Sequence, residues 1–127
     1  MQLTLLLDLD DTLLDTNLDS FGPAYFHALE GHMARRVAPE VMLTALISGT
    51  NLMNESEDPT HTLQEVFESS FIPAVGISKE EFDEFVDDFY DNVFPTLGSL
   101  TKQRAEAASL VEWALARGFR VAIATDP

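Results

Sequence analysis

The 127-residue chain predicts an α/β fold in which a block of helices is inserted between two strands of one parallel sheet. Three observations lead there. Short apolar runs near each end, Leu3 to Leu7 and Arg120 to Ala124, stop abruptly at a polar residue, as strands buried in a parallel sheet do. The second run follows a helical pattern and a glycine, which is half of a βαβ unit. Residues 17 to 94 show helical periodicity and no strand pattern.

The first strand, Leu3-Thr4-Leu5-Leu6-Leu7, is nearly all leucine, a weak strand former, so its apolar continuity carries the assignment. Pro23 lies near the first turn of a helix bearing Phe21, Tyr25, Phe26, Leu29 and Met33. Pro39-Glu40 opens a second with Val41, Leu43, Leu46 and Ile47, proline being well placed at a helix start. Thr62-Leu63-Gln64-Glu65 and Ser78-Lys79-Glu80-Glu81 both match the capping box, in which side chain and backbone satisfy each other at a helix N-terminus. The second box introduces the apolar stripe Phe82, Phe85, Val86 and Phe89, read as core. Pro59, Pro73, Gly76 and Pro95 punctuate the segment. A last helix is expected from about Lys102 to Arg117, with Ala105, Ala108, Val111 and Leu115 on one face. Gly118 stands where a helix-ending glycine belongs, and Arg117 complements the negative helix end. The expected division is 1–16 with 95–127 as a partial α/β core, and 17–94 as the helical insert.

Composition excludes several function classes. Without cysteine there is no disulfide scaffold and no thiolate metal site. No apolar run approaches the ~18 residues needed to cross a bilayer. Met1-Gln2-Leu3-Thr4-Leu5 lacks the basic region and cleavage site of a signal peptide, so a cytoplasmic protein with no membrane partner is expected. The net charge of −15 repels phosphodiester backbones and disfavours nucleic acid. Twelve of the 22 acids lie between Glu55 and Asp91 against a single base, Lys79. Interleaved with Phe67, Phe71, Phe82, Phe85 and Phe89, they read as the solvated faces of amphipathic helices.

The string Asp8-Leu9-Asp10-Asp11-Thr12-Leu13 follows the first strand directly, where ligands of open parallel sheets bind. Asp8 and Asp10 converge on one ligand if the loop stays extended. Two adjacent carboxylates repel each other unless a cation intervenes, and oxygen ligands suit Mg²⁺. The pair also suits a division of labour in which one carboxylate attacks and the other moves protons. Aspartates in loops often serve only to cap a turn, and D-x-D alone carries no more than that. An EF-hand is excluded because the sixth position from Asp8 is Leu13, not glycine.

Leu5-Leu6-Leu7-Asp8-Leu9-Asp10-Asp11-Thr12-Leu13 resembles the first motif of the haloacid dehalogenase-like (HAD) superfamily, and Val121-Ala122-Ile123-Ala124-Thr125 resembles its second. The intervening helices resemble that family's cap. The resemblance implies a partial Rossmann-like HAD core, two parallel strands of it visible, with an inserted α-helical cap domain. It implies Asp8 as nucleophile, forming an aspartyl-phosphate, and as a ligand of Mg²⁺. Asp10 would be the acid and base, its carbonyl also on the metal. Thr12 would brace the loop and Thr125 would bind a phosphoryl oxygen. An aspartate at position 10 points to phosphoryl transfer, since an alkoxide leaving group needs a proton and a halide does not. The implied function is a Mg²⁺-dependent phosphatase acting on a small phosphorylated metabolite. A phosphomutase and a non-catalytic acidic metal- or partner-binding module are the alternatives.

The family's third motif, a basic residue, and its fourth, an acidic pair, are not found after Thr125, and neither Lys79 nor Lys102 matches the third. The chain is therefore expected to be an N-terminal part of a longer enzyme, inactive or nearly so by itself. An incomplete sheet also exposes apolar surface that invites association, without specifying an oligomer. Arg35, Arg36, Asn51 and Asn54 fall in the cap segment, with the arginines read as solvated. Asp15 and Asn17 lie on the link into it, and Asp11 is read as ordering the loop. His27, His32 and His61 lack partners at metal-binding spacing.

Overall fold

A computed structural model describes residues 2–125. In chain order the elements are strands β1 (Thr4–Leu7) and β2 (Leu14–Thr16), helices α1 (Leu18–Met33), α2 (Pro39–Glu55), α3 (Leu63–Val75) and α4 (Lys79–Asp88), a π-helical turn Phe89–Val93, a 3-10 segment Phe94–Leu100, strand β3 (Thr101–Gln103), helix α5 (Ala105–Ala116) and strand β4 (Arg120–Ile123). The fold is mixed, mainly helical with a small parallel sheet. Among the described residues no helix is long and apolar enough to cross a membrane. The chain divides into two compact units, Met1–Ala24 with Leu97–Pro127, and Tyr25–Thr96.

In the first unit β1 and β4 pair in parallel, in register from Thr4 opposite Arg120 to Leu7 opposite Ile123. The ladder continues past both ends of β4, with Arg120 N–H on the Leu3 carbonyl and Ala124 N–H on that of Leu7, each at 2.9 Å. Leu5 and Leu7 are half-buried, whereas Leu6 on the opposite face is 68% exposed and Ile123 57%. Helix α5 packs on β4. It closes at Gly118, whose φ of 76° is the left-handed conformation that ends a helix cheaply only in glycine.

Two expectations fail in this unit. Lys102 and Gln103 do not open the last helix; they belong to β3, which pairs antiparallel with β2, Leu14 opposite Gln103 and Thr16 opposite Thr101. The buried Thr16 hydroxyl meets that of Thr101 at 2.5 Å, and Lys102 faces Asp15 across the pair at 3.6 Å. Cross-strand partners of this kind hold a three-residue strand that is too short for sequence periodicity to reveal. The helix begins after Arg104, whose extended backbone N–H bonds the Leu13 carbonyl at 3.0 Å. Its buried residues are Ala107 and Ala114, with Val111 half-buried, while Ala105, Ala108 and Leu115 are exposed. Small side chains on several faces of this helix left its inward side undetermined by pattern.

In the second unit the aromatic stripe is core. Phe82, Phe85 and Phe89 are buried with Phe71, Met33 and Met42, and Phe89 is wholly inaccessible. Both capping boxes form: Glu65 N–H donates to Thr62 Oγ1 at 3.2 Å and Thr62 N–H to Glu65 Oε2 at 2.7 Å. The Ser78 and Glu81 pair repeats the arrangement at 3.1 and 2.9 Å. Lys79, the lone base of the acidic stretch, is shared between Glu68 and Asp83. Helix α2 packs closely on α3 at Gly49, where a Cβ would come within 2.7 Å of the Phe67 ring, itself stacked on Phe71 at 4.9 Å. Alanine in place of glycine normally favours a helix by ~1 kcal/mol. Gly49→Ala must instead displace the Phe67 ring, at an overpacking cost that exceeds this gain. A net loss of about 1 kcal/mol is expected from denaturant unfolding followed by circular dichroism.

Candidate functional site

The parallel ladder sets the site. With Leu7 opposite Ile123, the chain leaves β1 at Asp8 and β4 at Ala124-Thr125 from the same end of the strand pair. The Asp8 carboxylate accepts a hydrogen bond from Thr12 Oγ1 at 3.0 Å, and the Thr125 hydroxyl and the Leu9 backbone N–H are the further donors that act on it. All three donors favour the ionised form, with Thr125 contributing most, and they hold the Asp8 carboxyl below its ordinary value. Asp8, Thr12 and Thr125 are thus brought together, two loops meeting on one exposed carboxylate.

The loop does not stay extended. The Leu9 carbonyl accepts N–H bonds from Thr12, Leu13 and Leu14 at 3.3, 2.9 and 3.0 Å, winding residues 9–14 into a tight turn. Asp11 within it has φ 57°, a left-handed conformation that aspartate tolerates better than most residues. This turn returns Thr12 to Asp8, four residues back, as extended backbone does not. Asp10 is exposed and its backbone forms an isolated bridge with Leu14. Among the described residues no side-chain hydrogen bond or ion pair holds Asp10, and no three carboxylates or imidazoles gather as a metal-binding group.

One residue at this loop escaped sequence reasoning. Arg104 lies at the start of α5, its guanidinium 3.5 Å from Asp11 and its backbone N–H on Leu13. The ion pair is exposed and contributes little energy, but the two contacts tie the turn to α5. No spacing in the sequence announced it, because the pairing of β2 with β3 is what carries Arg104 there. Lys102 is spent on Asp15, away from Asp8's own hydrogen bonds. Asn17 accepts the Asp19 N–H at 3.0 Å and caps α1. His61 pairs with Asp58 at 2.9 Å and His32 with Asp88 at 3.2 Å, each with one carboxylate.

No protein-family model, no curated protein and no solved structure matches the chain.

Because Asp8 titrates lower in the fold than when free, its ionisation is linked to folding. Its stabilising contribution is present above the ordinary carboxylate pKa and lost as pH falls through the lowered value. Thr125→Val is expected to raise the Asp8 pKa toward its ordinary value, and Thr12→Val to raise it less. A carbon-detected NMR titration of the Asp8 carboxyl reads both shifts.

Proposed function

We propose that the chain forms part of a magnesium-dependent phosphoryl-transfer hydrolase of the HAD-like type, cleaving a small phosphomonoester through an aspartyl-phosphate on Asp8. The observation that carries this reading is the convergence of the Thr12 and Thr125 hydroxyls on the Asp8 carboxylate at the carboxyl end of paired parallel strands. These are residues of both motifs on which the resemblance rests.

Asp8 is exposed and biased toward its ionised form, so it is accessible to substrate as a nucleophile. Its oxygen attacks phosphorus, the ester P–O bond breaks, and Asp10 passes a proton to the departing alkoxide. Water then attacks the aspartyl-phosphate, giving its proton back to Asp10, and the bond to Asp8 breaks to release phosphate. The Thr125 hydroxyl exchanges its bond to Asp8 for one to a phosphoryl oxygen, and Thr12 continues to orient the carboxylate. The donor set of this loop is oxygen only, which fits Mg²⁺ in kind, and Asp8 with Asp10 would hold it. Bound there, the ion would offset negative charge on the phosphoryl group.

The assay is hydrolysis of p-nitrophenyl phosphate with Mg²⁺ by the protein in the form the cell makes. Asp8→Asn is expected to lower turnover by at least about 10³-fold, and undiminished turnover overturns the assignment. Asp10→Asn is expected to cost about 10²–10⁴-fold with an alkyl phosphate and less with the nitrophenyl ester, whose leaving group needs little protonation.

A further inference from the structure

In a chain with 22 acids and seven lysines and arginines, Lys79, Lys102 and Arg104 each pair with a carboxylate, and Arg117 lies over the Trp113 ring. Arg35 and Arg36 instead share a cleft. They sit side by side in the turn after α1, and among the described residues neither is ion-paired, although Glu84 and Asp88 line the same cleft. That cleft, between the end of α1 and α4, has a volume of about 540 Å³ and lies wholly within the unit Tyr25–Thr96. Its size is that of a small-metabolite site.

Apart from Glu84, the other polar side chains of the cleft are engaged. Asp88 Oδ2 faces His32 Nε2 at 3.2 Å, and its Oδ1 accepts the Asn92 amide at 2.7 Å. The His32 ring is set against Phe85, ring centres 4.9 Å apart. Arg36 Nη1 approaches the Glu81 carbonyl at 3.5 Å, which keeps its guanidinium over α4. Two planar guanidinium forks remain beside a floor of fixed side chains, and such forks match carboxylate and phosphate geometry bidentately. We propose that this cleft is a binding site for a small oxyanion, a carboxylate or a phosphate monoester, held by Arg35 and Arg36. Glu84 and the chain's negative charge oppose polyanions and keep the ligand small. The site stands apart from the reading of Asp8, and neither depends on the other.

The test is an NMR titration of the full chain with inorganic phosphate and, separately, acetate, at constant ionic strength. The Arg35 and Arg36 Nε–H and His32 ring resonances are followed. Saturable shifts at these groups are expected, and the tighter of the two probes assigns the anion class. Arg35→Gln and Arg36→Gln, at exposed positions that leave the helices intact, each weaken binding by about tenfold. Glu84→Gln, which removes a like charge, strengthens it about threefold. Shifts reproduced by sodium chloride alone, or affinities unmoved in all three variants, overturn the proposal.

Discussion

The parallel ladder between β1 and β4 is the constraint on which the Asp8 end of the molecule depends. Four residues from each end of the chain share a register, and that register alone makes Asp8 and Thr125 neighbours across a sequence separation of more than a hundred residues. Parallel strands need a long crossover, and here the connection includes every other element of the chain. The ladder is also thinly covered. One helix packs on it, Leu6 on the other face is open to solvent, and so is Ile123 beside Leu7 at the end of the ladder. Apolar surface of this kind on a sheet gains by being covered.

The helical unit has a different economy. Its stability rests on aromatic burial, with Phe71, Phe82, Phe85 and Phe89 around Met33 and Met42, and on two reciprocal capping boxes that satisfy the N-terminal amides of α3 and α4. The acids remain largely exposed, so their mutual repulsion is screened by water and does not reach the core. Gly49 shows how tightly α2 and α3 approach, since the absence of one methyl group makes room for the Phe67 ring. The two arginines after α1 share a cleft with Glu84 and Asp88, yet among the described residues neither is ion-paired.

Much of the local structure was legible residue by residue. Proline at the start of α2, the serine and threonine boxes, the phenylalanine stripe and the glycine after α5 all act through neighbours within a few positions, and each formed as its pattern requires, whereas Pro23, expected near a first turn, lies inside α1. The β2 and β3 pair did not show, because three residues carry no period and their partners lie far along the chain. The inward face of α5 was misread because alanines stand on several of its sides, so only the surface it packs against selects among them.

Sequence alone therefore determined the helices, the outer strands β1 and β4 and their order, and it marked Asp8, Asp10, Thr12 and Thr125 as candidates, because those properties are local. Only the tertiary structure decided which of these residues meet. It brought Thr12 and Thr125 to Asp8 and Arg104 to Asp11, and it wound the loop into a turn so that Asp8 and Asp10 are not presented as alternate residues of an extended strand. The reason is physical. A hydrogen bond between distant residues depends on strand register and backbone dihedrals, and neither is encoded in the composition of the segments it joins.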